Sequence, residues 1–195
     1  MKQPGNGRHV QRLLSSGLGI SMLWVSGGVR ADESYNLAST ILLGTCTVTT
    51  SNGSLTLPNV SRDELDGGLL QQQQRLVVST SSCVGVGDGG SHPTLTVSGT
   101  TVSAPANVKD YLFNDGGTES TAKGYGITVS TKESTSWDTD NLVKNGGAIT
   151  LSDINSDNSL WVSVGCGDAT TCAQKDADHA AGSLSAGITF TFKYQ

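Results

Sequence analysis

The chain has 195 residues, of which 12 are Lys or Arg and 17 are Asp or Glu, so its formal net charge is −5. This acidic balance argues against nucleic acid and anionic membrane surfaces as partners, because both attract basic patches. Aromatic residues make up only 5% of the chain while 25 residues are glycine, a composition typical of short elements separated by turns.

The first 31 residues have the pattern of a secretory signal peptide. A basic start is followed by a mostly apolar run at 13–25 and by Val29–Ala31, which has the small-x-small form of a cleavage site. The run is too short to span a membrane, and no later run is long enough. We therefore expect residues 1–31 to be removed, which leaves one domain at 32–195 with a formal charge of about −9.

The predicted domain consists of short apolar runs separated by turn residues. Its predicted strands lie at 38–49, 54–60, 75–84, 93–98, 126–131, 148–151 and 160–165. A capping-box pattern at 61–64 predicts one short helical turn. The stretches 85–91 and 167–181 are predicted loops, and 137–147 is predicted to be a long loop or a hairpin. Many short strands with turn signals between them predict an all-β sandwich.

The strongest strand signal comes last, in Gly182–Gln195. From Ile188 onward apolar and polar residues alternate without a fault, which predicts a strand with one buried face. The apolar members are Ile188, Phe190, Phe192 and Tyr194. A strand this apolar is expected to need a neighbour on both sides.

Four cysteines lie beyond the signal peptide, namely Cys46, Cys83, Cys166 and Cys172. An even number in an exported chain predicts disulfide bonds, and four cysteines allow three pairings. A metal site is not predicted, because there is no Cys-x-x-Cys pair and the three histidines are scattered.

No sequence motif supports an enzyme or a cofactor. The GxGxxG pattern at 85–90 is not followed by a helix, which a dinucleotide site requires. The acidic stretch at 153–157 lacks the glycine and glutamate that a calcium loop needs. His92 and His179 have no nucleophile motif nearby and are predicted to be exposed loop residues.

Three features of the C-terminal stretch occur together in one known family. They are a glycine fourteenth from the end (Gly182), a penultimate aromatic residue (Tyr194) and the alternating apolar residues between them. With Gly44–Cys46 and the spacing to Cys83, the chain resembles the type 1 pilin-like subunits of chaperone–usher fimbriae. The resemblance implies an immunoglobulin-like β-sandwich that lacks its final strand, and a Cys46–Cys83 disulfide. Cys166 and Cys172 then form an additional pair.

The resemblance also implies how such a chain is assembled. The missing strand leaves an apolar groove, which a periplasmic chaperone fills until an outer-membrane usher adds the subunit to a pilus. A neighbouring pilus subunit then supplies the strand from its N-terminal extension. By this resemblance Gly182, Ile188, Phe190, Phe192 and Tyr194 form the assembly strand, and basic residues of the chaperone anchor the carboxylate of Gln195. The expected location is a fimbrium on the bacterial surface.

The segment before the first predicted strand departs from the family pattern. Asp32–Asn36 is polar and lacks the alternating apolar residues of a donor extension. We therefore expect a minor or tip subunit that contributes to cell adhesion. The alternative is a stand-alone secreted adhesin that binds a host carbohydrate or protein through Trp137, Trp161 or the 167–181 loop, although Trp161 lies within a predicted strand and is more typical of a core.

Overall fold

The computed structural model describes residues 44–85, 91–103, 105–174 and 177–195. The predicted signal peptide at 1–31 and the residues 32–43 that follow it lie outside the described part of the chain. Most of the predicted loop at 85–91 lies outside it as well.

Seven strands make up most of the regular structure in these ranges. They are β1 (Gly44–Thr50), β2 (Gln71–Gly85), β3 (Pro93–Gly99), β4 (Gly126–Ser130), β5 (Ala148–Thr150), β6 (Asp157–Gly165) and β7 (Ile188–Tyr194). Two four-residue helices, α1 (Arg62–Leu65) and α2 (Ala169–Cys172), and a 3₁₀ turn at Lys109–Tyr111 lie between them. No helix of the described ranges is long and apolar enough to cross a membrane.

The strands form two antiparallel sheets. One has the order β1-β2-β6-β4 and the other has the order β5-β3-β7. Alternation along each strand turns apolar side chains toward the opposite sheet, where they form the core. Val78, Leu95, Val97, Phe113 and Val129 have no exposed surface there. The predicted all-β sandwich is confirmed.

The predicted strand at 54–60 has no ladder partner among the described residues, so this prediction is wrong in that respect. The segment nevertheless keeps the period of two, because Leu55 and Leu57 are half-buried against the core while Ser54 and Thr56 are exposed. A ladder requires a second strand about 4.8 Å away, and the described chain supplies none at this place.

The predicted capping box at the start of α1 is confirmed. Ser61 N donates to Glu64 Oε2 at 2.6 Å. This backbone hydrogen bond is the main reason that the pKa of Glu64 lies below its ordinary value. Leu65 ends the turn and is buried, so the cap determines where α1 meets the interior.

The helix α2 lies in the stretch 167–181, for which the sequence predicts only a loop. Asp168 caps it by accepting a hydrogen bond from Thr171 N at 2.7 Å, and Cys172 is joined to Cys166. Four residues are too few to show a helical period, so these two local constraints, and not periodicity, account for the turn.

We expect Asp168→Ala to lower stability by about 1 kcal/mol, because Thr171 N loses its acceptor. This corresponds to a fall of about 2–4 °C in the thermal midpoint. The Thr171 hydrogen bonds hold the pKa of Asp168 below its ordinary value of 3.8. The stabilisation is therefore complete above pH 3.8 and is lost as the pH falls through the lower folded pKa. Asp168→Asn keeps an acceptor without titrating, and a loss at pH 7 as large as that of Asp168→Ala would contradict the capping role.

His179 is buried, with 4% of its surface exposed, so its predicted position in an exposed loop is wrong. Its ring lies edge to face with that of Tyr125, at a centroid distance of 6.0 Å. Gly124 makes this approach possible, since a Cβ there would lie 2.6 Å from His179 Cδ2. His92 is exposed, as predicted.

Candidate functional site

The strand β7 lies at the edge of its sheet. It pairs with β3 along its whole length, from Gly99↔Ile188 to Pro93↔Tyr194. In the part of the chain that is described, no second strand pairs with its other side. An unpaired edge of this kind offers a row of N–H and C=O groups to an incoming strand.

The pairing with β3 identifies the backbone groups of β7 that have no strand partner among the described residues. His92 and Gln195 exchange both hydrogen bonds, with N–O distances of 2.6 and 3.0 Å. Bonded and non-bonded pairs alternate along an antiparallel ladder, so every second residue of β7 turns its backbone groups away from β3. These residues are Ile188, Phe190, Phe192 and Tyr194. They are also the residues whose side chains form the apolar face of the strand.

A groove of about 860 Å³ lies beside this edge, and we call it the edge groove. One wall is the segment 50–60, which continues from the end of β1, and the other is 181–188 with the start of β7. The floor belongs to the interior of the first sheet and its neighbours. It includes Leu76, Ile127, Val162 and Val164.

Both walls of the edge groove alternate between apolar and polar side chains. Leu55 and Leu57 on one wall are half-buried, and so are four residues on the other. Those four are Leu184, Ala186, Ile188 and Phe190. All except Leu184 pack against the main core, which therefore stays incompletely covered along the groove. A strand with apolar residues at alternate positions has the shape and the period that fit this opening.

The structure places the predicted assembly residues in two groups. Gly182, Ile188 and Phe190 line the edge groove. Phe192 and Tyr194 are half-buried with their rings edge to face, 5.2 Å apart between centroids, and lie outside the groove lining. Gln195 is exposed beyond them. Their contribution to assembly stays a prediction.

The local packing explains why residue 182 is a glycine. A Cβ at this position would lie 2.4 Å from Thr121 Oγ1 and 2.7 Å from Ala122 N. The close approach allows Ala122 N to donate to Ser183 O at 2.9 Å and Ser183 N to donate to Thr121 Oγ1 at 3.0 Å. These bonds hold the wall of the groove just before β7 begins.

We expect Gly182→Ala to destabilise the protein by about 1–3 kcal/mol, because the added methyl group has no space without a backbone shift. Gly187→Ala is the matched control in the same wall, since its nearest neighbour, Asp115 Oδ1, would lie 3.6 Å from the new Cβ. Denaturant unfolding measures both variants. Equal losses in the two would show that the close approach at residue 182 does not matter.

Two disulfides frame the sandwich. Cys46–Cys83 joins β1 to β2, and Cys166–Cys172 closes the turn that contains α2. The second pair is completely buried in a smaller apolar cluster with Leu65 and Tyr125. This cluster lies at one end of the edge groove, because both of these residues also line it.

The tryptophans considered as binding residues are both half-buried. The ring of Trp137 lies edge to face with that of Tyr111 at a centroid distance of 5.8 Å, and the backbone N–H of Trp137 donates to Gly68 O at 2.8 Å. Trp161 lies in β6, where its ladder partners are Arg75 and Ser130. The packing of Trp137 and the ladder position of Trp161 account for both residues structurally.

Sequence reasoning missed the wall at 50–60 and the end of the groove formed by Arg62 and Tyr125. The apolar alternation of Leu55 and Leu57 was a usable signal, since it predicted a strand, but nothing in the sequence showed that the strand would lack a partner. Arg62 and Tyr125 carry no local signal at all. They meet the groove only through tertiary contacts.

Neither a scan of family models nor a search of curated proteins finds a match. Solved structures do match. The crystal structure of the P pilus rod subunit PapA is 19% identical, with a TM-score of 0.50 over 83% of this chain and 99% of that one. A chaperone–usher pilus structure concerned with rod uncoiling is 20% identical, with a TM-score of 0.51 over 85% of this chain and 97% of that one. At these identities the likeness concerns the fold, and the resemblance inferred from the sequence is confirmed at that level. The chain has the fold of chaperone–usher pilus subunits, an incomplete immunoglobulin-like sandwich with an open groove beside its last strand.

Proposed function

We propose that the protein is a pilus subunit that is completed by a strand from another polypeptide. The observation that carries this proposal is the edge groove beside the side of β7 that no described strand pairs with. Its two walls present apolar side chains with a period of two, and the β7 wall also presents backbone groups that face away from β3. A single added strand satisfies both features.

The physical need for such a strand follows from the half-buried apolar residues around the groove. Leu55, Leu57, Ile188 and Phe190 each pack on the core with one side only. Complete burial of such a side chain from full exposure is worth about 1.5–3 kcal/mol, and covering the exposed part of each half-buried one contributes only a fraction of that. An open apolar groove next to an unpaired edge also favours aggregation, so the isolated chain needs protection before assembly.

The proposed partners follow the order of assembly. A periplasmic chaperone fills the edge groove first, an outer-membrane usher receives the complex, and a neighbouring subunit supplies the lasting strand at the cell surface. Gln195 lies at the end of β7 with its side chain exposed, while its backbone bonds to His92. One oxygen of its terminal carboxylate accepts from His92 N, and the other is available to basic residues of the chaperone.

Periplasmic expression of the full chain with and without a chaperone of this type tests the proposal. We expect a soluble one-to-one complex with the chaperone, and aggregation or degradation without it. In the complex, the amides of Phe190 and Phe192 are expected to be protected from hydrogen exchange. A soluble, protease-resistant monomer without the chaperone would reject the proposal and favour the stand-alone adhesin.

We further propose a minor or tip position and a contribution to adhesion. The support is the polar segment Asp32–Asn36, which has no alternating apolar residues to offer to a neighbour's groove. Leu37, Ile41 and Leu43 do lie at alternate positions nearer to β1, so the test uses the whole segment before that strand. The purified protein is mixed with a shaft subunit whose groove is held by a chaperone. Stable insertion of residues 32–43 into that groove would overturn the tip position.

A further inference from the structure

One end of the edge groove carries two polar side chains, although the walls of the groove are lined by apolar residues at alternate positions. Tyr125 and Arg62 both line this end. Tyr125 is only 6% exposed, and its hydroxyl is buried without a hydrogen-bond partner in the described residues. The Nε of Arg62 is also buried and unpartnered within those ranges. Buried polar groups are normally paired, so two unpaired ones at one end of a groove require an explanation.

Contacts with other parts of the fold hold both side chains in place, so neither is free to turn into solvent. Arg62 begins α1 directly after the Ser61 cap, and its Nη2 donates to the carbonyl of Gln174. Tyr125 packs with Leu65 in the smaller cluster and lies edge to face with His179. The groups that remain unsatisfied are therefore placed by the fold.

Both groups have a hydrogen to donate. A guanidinium N–H is a donor only, and a neutral phenol hydroxyl can donate as well as accept. Burial raises the pKa of Tyr125, an effect opposed by the positive charge of Arg62 and supported by the negative charge of Asp66, so the hydroxyl keeps its proton at neutral pH. Two donors at one place call for an acceptor oxygen.

No side chain of the described residues accepts a hydrogen bond from the Tyr125 hydroxyl or from Arg62 Nε. Leu57, Val60, Ala122 and Leu184 surround this end of the groove, and all four are apolar. An incoming strand that carried only apolar side chains would cover the two donors without satisfying them, which is the costly case for a buried polar group. A lysine or arginine on that strand would bring another donor beside Arg62.

We propose that the strand that fills the edge groove carries a carboxylate or amide oxygen at the inward position facing Arg62 and Tyr125, and apolar residues at its other inward positions. This inference rests on the proposed function and refines it, since it names a feature by which the groove selects its strand. Arg62 and Tyr125 are the specificity-determining residues of this subsite.

Synthetic nine-residue peptides test the inference on the full chain. Each alternates Val and Thr, and its terminal inward residue is Leu, Asn or Asp, placed at the N-terminal end in one series and at the C-terminal end in another. The chain is refolded with each fluorescent peptide, and affinity is measured by anisotropy. In one of the two series we expect the Asn or Asp peptide to bind about tenfold more tightly than the Leu peptide.

The variants Tyr125→Phe and Arg62→Met separate recognition from folding. Both keep most of the apolar volume, and each is expected to reduce the tenfold preference while still binding the Leu peptide. Circular dichroism checks that each variant folds. If a variant does not fold, the preference of the wild-type chain for the Asn or Asp peptide over the Leu peptide still tests the inference. If no peptide binds the wild type, the proposed function itself fails. If the peptides bind but Leu is equal or better in both series, or if the preference survives in both variants, the polar subsite is wrong while the groove remains.

Discussion

A version of the full chain that carries its own extra strand is expected to melt at least about 10 °C above the unmodified chain. The extension follows Gln195 and consists of a flexible linker and nine residues that alternate Val and Thr. Its Val side chains enter the edge groove and cover Leu55, Leu57, Ile188 and Phe190, which are now half-buried. Its backbone pairs with the N–H and C=O groups of β7 that face away from β3.

The linker length follows from the geometry of β7. The groove lining reaches Phe190, five residues before Gln195, which is about 17 Å along a strand. A ten-residue Gly-Ser linker has a root-mean-square span of roughly the same length. It therefore allows the added strand to reach the groove without strain. The linker also leaves in place the ring of Tyr194, which lies so close to Gly44 that a Cβ there would be 2.6 Å from Tyr194 Cε2.

The size of the effect is a balance of opposing terms. Burying five Val side chains contributes about 1.5–3 kcal/mol each. Ordering the added backbone costs about 1–2 kcal/mol per residue, and each new hydrogen bond returns about 0.5–1.5 kcal/mol. A net gain of several kcal/mol is expected, and for a domain of this size about 1 kcal/mol raises the midpoint by about 2–4 °C.

The control extension has the same composition with Val and Thr arranged in pairs, so that no register places more than about half of the Val residues inward. Differential scanning calorimetry compares both with the unmodified chain. An equal rise in the thermal midpoint for the two extensions would show that the groove does not distinguish an alternating strand from a non-alternating one. No rise for either would mean that the groove is not open to a strand.

Loss of the Cys46–Cys83 disulfide is the second large effect that we expect. The bond closes a loop with a sequence separation of 37, which is worth about 4 kcal/mol in the chain-entropy model. The double variant Cys46→Ala/Cys83→Ala should therefore melt about 8–15 °C below the wild type. The cross-link ties β1 to the long strand β2, and β1 leads directly into the 50–60 wall of the edge groove.

Single variants provide the control for this prediction. If the cross-link carries the effect, Cys46→Ala and Cys83→Ala should each lose nearly as much as the double variant, since either one removes the bond. The Cys166–Cys172 bond has a sequence separation of only 6, for which the same model gives about 2 kcal/mol. A loss below about 1 kcal/mol in the double variant would contradict the role assigned to the longer loop.

The sequence alone was sufficient to predict a structural feature wherever that feature depends on residues that are close together in the chain. The alternation from Ile188 to Tyr194 predicted β7 because the period of a strand is a local property. The cap joins Ser61 to Glu64, three positions further along the chain, and its sequence pattern predicted it equally well. Local patterns also located β3, β4, β5 and β6 within a few residues.

Only the tertiary structure decided what depends on segments far apart in the chain. Leu57 and Leu184 form opposite walls of one groove although they are more than one hundred residues apart. The burial of His179 and the polar end formed by Arg62 and Tyr125 arise in the same way. An alternating pattern predicts that a segment forms a strand and pairs with neighbouring strands. It does not predict which edge of that strand will lack a partner. That outcome depends on how many strands the chain supplies to each sheet, and within the described ranges β7 is left at the edge of its sheet.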